Sequence, residues 1–150
     1  MKIERMEILG INVRDIDQAK ALFSRVLGVE FLEYELGVDV AMEARGADEG
    51  DPHKLESGGT RIAIDRSGYI ELIQTRPPVD QDGFRNIHFK VDDMAAAMHH
   101  MDGLGLRVAA DLRVGGLREV IYDAGQLHGI RLCLVAYDAP TLVDAVLGGA

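Results

Sequence analysis

Ile11-Asn12-Val13-Arg14-Asp15-Ile16-Asp17-Gln18-Ala19 returns later in the chain as Phe89-Lys90-Val91-Asp92-Asp93-Met94-Ala95-Ala96-Ala97. Val13 to Val91, Asp15 to Asp93 and Ala19 to Ala97 are each 78 residues apart. Leu27-Gly28-Val29 is answered by Leu104-Gly105-Leu106 at an offset of 77, so one residue is lost between the copies. Each copy reads as a strand, a capped helix, a Leu-Gly-apolar turn and further strands. A repeat of this period is one supersecondary unit used twice. It also defines equivalent positions, so that a residue missing from one copy can be noticed.

Outward from the repeat, Met6 to Val13 is an apolar run that reads as a strand. Asp15 follows with the chemistry of an N-cap, and Gln18 stands three residues on, as in a capping box. Ala19, Leu22, Phe23 and Val26 recur at helical spacing, and Gly28 closes the helix. Val29 to Leu36 is strand-like. Glu43 to Thr60 is polar, Gly-rich and aperiodic, which predicts a long loop, either a functional lid or a mobile segment. Arg61–Asp65 and Tyr69–Gln74 read as a hairpin joined by Arg66-Ser67-Gly68. Arg76-Pro77-Pro78 through Gly83 reads as a linker. In the second copy Asp93 repeats the cap, and Ala97, Met98 and Met101 form the apolar side of the helix. Strands are predicted at Arg107–Ala110, Arg118–Tyr122 and Gly129–Val135, and a short helix at Thr141–Leu147. The modules are residues 1–78 and 79–150. Neither buries its sheet alone, so the two are expected to pack together as one domain or to exchange with a partner chain.

Composition limits the partners. The net charge is −9, and the 16 basic residues are dispersed. Nucleic acid and anionic membranes need clustered Lys and Arg, so neither is expected as a partner. A single cysteine, Cys133, excludes an internal disulfide. With no apolar signal core at the N-terminus and no run of membrane-spanning length, the chain reads as cytoplasmic.

A βαβββ unit used twice, with "GINVRDIDQAKALFSRVLGVEF" and "IHFKVDDM" at the two starts, resembles the vicinal oxygen chelate superfamily. That group includes glyoxalase I, methylmalonyl-CoA epimerase, extradiol dioxygenases and the bleomycin-resistance proteins. "YIELIQ" and "HGIRLCLVAY" resemble the ends of its two modules, the latter in the manner of the epimerase branch. The resemblance covers residues 3 to 136. It implies an α+β fold in which two βαβββ modules form a curved, barrel-like mixed sheet with a concave pocket. It also implies a homodimer, a small organic ligand, and a divalent metal held by four side chains. Carried over one at a time, those four positions fall on Ile8, Glu71, Asn86 and Cys133. Ile8 and Asn86, where the resemblance calls for His, are themselves 78 residues apart.

Ile8 has no lone pair to give, and Asn86 offers only a neutral carbonyl oxygen. Such a set matches neither zinc sites nor the oxygen cages of magnesium and calcium. The chain is therefore expected to work without a metal or other cofactor, unless a one-residue slip brings Glu7 into play. Period-two alternation adds Asn12, His88 and Arg131 to the inward face. The predicted pocket holds Glu71 and His88 as an acid–base pair, with Asn12, Asn86, Arg131 and Cys133 contacting the substrate. Each has a structural alternative: His88 as a hydrogen-bonded core histidine, Glu71 neutralised by Arg131, Cys133 as a small buried apolar residue. His99 and His100 read as surface residues, and Gly115-Gly116 as a turn. The expected activity is proton transfer on a small oxygenated metabolite, as an isomerase, epimerase or lyase. The alternatives are sequestration of a drug or metabolite, for which a chain with no Trp is poorly equipped, and a metal enzyme whose ligands lie elsewhere.

Overall fold

The computed structural model describes residues 1–45 and 59–148. The first copy supplies β1 (Ile3–Asn12), α1 (Ile16–Leu27), β2 (Phe31–Glu35), β3 (Met42–Arg45), β4 (Arg61–Asp65) and β5 (Ile70–Gln74). The second supplies β6 (Gly83–Val91), α2 (Met94–Gly103), β7 (Val108–Val114), β8 (Leu117–Tyr122) and β9 (Leu132–Ala136), followed by α3 (Leu142–Leu147).

The repeated sequence folds into repeated geometry. Asp15 (φ −133°, ψ 98°) and Asp93 (φ −139°, ψ 108°) are both extended N-caps. Each carboxylate accepts the backbone N–H three residues on, Gln18 and Ala96, at 3.0 Å. This satisfies a donor that the first helical turn leaves open. Gly28 ends α1 in the left-handed region at φ +64°, where a side chain would be strained. In each copy the first strand pairs in parallel with the last, β1 with β5 and β6 with β9, and the remaining pairs are antiparallel. The two copies join through the antiparallel pair β1–β6.

The result is one nine-stranded mixed sheet, ordered β2-β4-β5-β1-β6-β9-β8-β7-β3. The polar stretch from Glu43 departs from the sequence expectation. It opens with a strand, because Met42–Arg45 pairs with Asp111–Val114 at the far edge of the second copy. Residues 46–58 of the predicted loop lie outside the described residues. This crossing forces curvature. Nine strands laid flat would place β2 and β3 roughly 38 Å apart. The seven steps from Glu35 to Met42 reach at most about 25 Å. The sheet therefore curls into a half-barrel, and Leu36 and Val40, both buried, line the crossing.

Both faces of the sheet are covered. On the convex side α1 packs Ile16 against Val13, Ala63 and Leu72, while α2 packs Met94, Ala97 and Met101 against Val91, Val120 and Leu134. The concave side gathers Ile8, Tyr34, Ile62, Ile73, Leu117, Ile121 and the α3 residues Leu142 and Val146. Burying such side chains is worth about 1.5–3 kcal/mol each, and it ties the two copies into one core. Among the described residues no helix is long and apolar enough to cross a membrane.

Candidate functional site

The concave floor is built in rows across the strands. Gly10 of β1 is opposite Glu71 of β5 on one side and Asn86 of β6 on the other. Gly10 is required by space. A Cβ there would lie 2.0 Å from Asn86 Oδ1 and 3.4 Å from Glu71 Oε1. The Asn86 amide thus lies over the glycine, and its buried Oδ1 has no hydrogen-bond partner among the described residues. In the next row His88 is opposite Cys133 of β9, and Cys133 is opposite Ile121 of β8. Glu119, two residues before Ile121, faces the same side.

These residues meet at His88. Its Nε2 lies 2.7 Å from Glu119 Oε1 and 3.8 Å from Glu71 Oε1. Its Nδ1 lies 3.1 Å from the backbone oxygen of Ile8. That carbonyl is available because the β1–β6 register slips between Met6 and Leu9, taking it out of the ladder. A carbonyl only accepts, so Nδ1 carries a proton, and Nε2 faces a carboxylate. The arrangement fits an imidazolium that donates to both. Burial pulls the imidazole pKa down, but its acidic neighbours outweigh burial and hold it well above 6.5. Burial and Glu119 push the Cys133 thiol up to about 11, so near neutral pH the charge that retains the His88 proton is that of Glu119. Burial opposes ionisation of Glu119 too, yet His88 keeps its pKa below the ordinary value. Glu71 differs. Burial raises its pKa, with Glu119 adding to the effect and His88 and Arg85 opposing it.

The sequence-predicted residues Asn12, Glu71, Asn86, His88, Arg131 and Cys133 all fall on the concave side. Asn12, Asn86, His88, Arg131 and Cys133 are buried, and the Glu71 side chain is 12% exposed. Their arrangement is layered. Glu71, Asn86 and His88 line the central cavity, together with Ile8 and Glu119. Asn12, Arg131 and Cys133 lie behind that lining. Asn12 accepts from Arg85 Nη1 at 3.0 Å. Glu71 faces His88, whereas Arg131 acts on Glu119, Cys133 and Arg85. His99 and His100 are exposed, as expected.

Sequence reasoning missed two members. Glu119 follows Arg118 in β8, where an adjacent pair of charges reads as a solvated stretch. Both faces of β8 are covered, so alternation carries no information there. Arg85 was missed because the register slips between Gly10 and Ile11, so that Arg85 and Asn86 are both buried while Phe84 is left 48% exposed. Burial and the nearby Arg131 lower the Arg85 pKa to about 10.

The four positions at which the resemblance expects metal ligands do not fit a divalent ion. Ile8 presents hydrocarbon to the cavity, Asn86 an amide, and Cys133 a thiol that burial keeps protonated. A different trio, His88, Glu119 and Cys133, brings its donor atoms within 4.8 Å of one another.

Comparison with known proteins agrees with this architecture. The sequence profile of the glyoxalase/bleomycin resistance protein/dioxygenase superfamily matches residues 9–122. No curated protein matches the chain. Among solved structures, methylmalonyl-CoA epimerase from Mycobacterium tuberculosis superposes with a TM-score of 0.66 at 17% identity, covering 91% of this chain and 90% of that one. A variant methylmalonyl-CoA epimerase of Streptomyces coelicolor, in complex with 2-nitronate-propionyl-CoA, gives a TM-score of 0.66 at 19% identity, with 92% and 100% covered. A hypothetical protein of Bacillus halodurans gives 0.64 at 15% identity, with 91% and 96% covered. At such identities the structures speak to the fold alone. The doubled βαβββ unit, the curled nine-stranded sheet and the profile spanning both copies show that this chain belongs to the glyoxalase/bleomycin resistance protein/dioxygenase superfamily.

Proposed function

We propose that the protein is a metal-independent enzyme that moves a proton on a small oxygenated metabolite, as an isomerase, epimerase or lyase. The observation that carries this reading is the opposition of Glu71 and His88, 3.8 Å apart at the polar end of an apolar cup. Their environments push them toward complementary roles. Burial gives Glu71 an increased proton affinity, which makes it the better base for a carbon acid. His88, kept cationic by Glu119, presents a positive charge to the oxygen on which negative charge develops. In this scheme Glu71 takes the proton from the carbon next to a carbonyl and the carbon–carbonyl electrons shift to oxygen. The Asn86 NH2 donates a hydrogen bond to that oxygen beside the positive charge of His88, whose own N–H groups are held by Ile8 O and Glu119. Return of the proton to carbon completes an isomerisation or epimerisation. The Asn86 amide faces the same cavity, and rotation about its last torsion offers the ligand either its oxygen or its NH2.

The superposed epimerases support carbon-acid chemistry on this fold. The test is solvent deuterium exchange into a broad panel of small carbon acids, comparing wild type with Glu71→Gln. Exchange by wild type that is lost in the variant is expected. Absence of wild-type exchange across the panel refutes the reading.

One observation favours a second reading. His88, Glu119 and Cys133 offer nitrogen, oxygen and sulfur donors in one buried cluster, the kind of mixed set that zinc accepts. A metal there would replace the 2.7 Å His88–Glu119 contact. Near-stoichiometric zinc, nickel, iron or cobalt in purified protein, lost on Cys133→Ser, would select this reading over the first.

A further inference from the structure

The cup is filled by its own chain. The cavity above Glu71, His88 and Glu119 amounts to about 30 Å³. That is room for on the order of one water. Sites for organic ligands are typically about 300–1,000 Å³. No carbon compound reaches the floor until part of the wall leaves.

The walls are unequal. Among the described residues, most belong to the hydrogen-bonded sheet. Leu142 and Val146 belong to α3, a helix of 6 residues that follows the last strand and forms no part of the sheet. A helix this short is not stable by itself in water, so it persists only while docked. Its dock is the β7–β8 turn, Gly115-Gly116. A Cβ on Gly115 would lie 2.4 Å from Val146 O, and one on Gly116 would lie 3.0 Å from Ala145 O. Gly116 N–H donates to Ala145 O at 2.8 Å. The two glycines strip the turn bare, so the helix backbone rests directly on it. They are more than a turn signal.

We propose that α3 is a displaceable lid occupying the ligand's place, and that the site takes a compound joining a carbonyl group to a short aliphatic chain. This rests on the proton-transfer reading of the floor and names the substrate class for it. Glu71, His88 and Asn86 meet the carbonyl end. Leu36, Ile62, Val114 and Leu117 form a hydrocarbon sleeve above them. The volume now taken by two aliphatic side chains becomes the seat of the ligand's chain. Among the described residues Tyr34 is the one aromatic group in the lining, so a flat aromatic ligand finds no stacking pair there.

A closed lid lowers apparent affinity in proportion to the open fraction. If α3 is undocked about 1% of the time, binding is weakened about 100-fold. The probes are straight-chain methyl ketones from 2-butanone to 2-octanone, with binding read by protein-detected NMR. A reversible lock comes from the double variant Gly116→Cys/Ala145→Cys; the Cβ at Gly116 would stand 3.0 Å from Ala145 O, so α3 must shift by a few tenths of an ångström to admit it, and 4.0 Å from Ala145 Cα. This is within disulfide reach. The expected results are binding that strengthens with chain length, loss of binding in the oxidised lock, and recovery on reduction. Ending the chain after Asp138 is expected to tighten binding about 100-fold. Ketones are also expected to speed amide exchange in Leu142–Leu147 of the full chain.

Equal binding by the oxidised and reduced lock overturns the lid, and ketones that bind neither wild type nor reduced lock overturn the ligand class. If the truncated chain does not fold, the lock alone decides. Binding is read without turnover. Ketones that bind on reduction but show no deuterium exchange leave the lid standing and remove the proton transfer. Exchange that proceeds equally in the locked protein does the reverse.

Discussion

Replacing Glu119 with Gln should reverse the protonation of His88. The substitution keeps the shape and an acceptor for Nε2 but removes the charge 2.7 Å away. The side chains of His88 and Glu119 are only 4% and 10% exposed, so water does not compensate. Breaking a buried ion pair by removing one partner costs about 3–5 kcal/mol. For a chain of this length each kcal/mol moves the melting temperature by roughly 2–4 °C, which gives a loss on the order of 10 °C. The variant has one escape, deprotonation of His88, at about 1.4 kcal/mol for each unit by which the pH lies below the group's pKa.

The pH dependence follows from the directions of the shifts. In wild type the raised His88 pKa adds stability that is complete below 6.5 and fades as pH rises through the folded value. The lowered Glu119 pKa adds stability that is complete above 4.5 and is lost as pH falls through its folded value. Without Glu119, burial is opposed only by Cys133 and the more distant Glu71, so the His88 pKa falls and its stabilising contribution is lost. The gap in melting temperature between wild type and Glu119→Gln should therefore be wide at about pH 6 and narrower at about pH 9, where an imidazole deprotonates freely. Thermal unfolding at the two pH values, with an NMR titration of the His88 ring, measures both effects. A wild-type ring that titrates near its ordinary value, or a gap independent of pH, would refute the ion-pair argument.

Gly10→Ala should destabilise the fold by about 1–3 kcal/mol through overpacking against Asn86, and Gly10→Ala/Asn86→Ala should recover most of it in a denaturant-based double-mutant cycle. Glu71→Gln should stabilise, because the raised Glu71 pKa makes its ionised form a burden above the ordinary value of 4.5. The gain in melting temperature should be larger at about pH 8 than at about pH 4, the reverse of what a stabilising carboxylate would give. Asp15→Ala and Asp93→Ala should each cost about 1 kcal/mol by chemical denaturation, as two N-caps of the same geometry. A much smaller loss at either would show that its helix start is held by packing alone.

The repeat carried most of the fold. Asp15, Gly28 and Asp93 act within a few residues of themselves, so the chain writes its helix boundaries locally. The constant offset then fixes which strands are equivalent, and alternation from Ile8 orients Gly10 and Asn12 correctly. Two kinds of feature escaped. Arg85 is turned inward by a register slip that depends on β1, whose partner residues lie more than 70 positions earlier. Met42–Arg45 is a strand because β7 offers it a free edge, and nothing in four polar and apolar residues announces that.

The sequence by itself determined the doubled βαβββ unit, its caps, the family and the loss of histidine at positions 8 and 86. These follow from short-range spacing and from comparing one copy with the other. Only the tertiary structure decided the chemistry of the floor. Glu119 and Cys133 reach His88 by sheet pairing, and the Ile8 carbonyl reaches it through a slipped ladder. The closed lid is likewise a product of folding. Leu142 and Val146 read in sequence as one side of a short helix, and the curl of the sheet is what makes that side the roof of the cup.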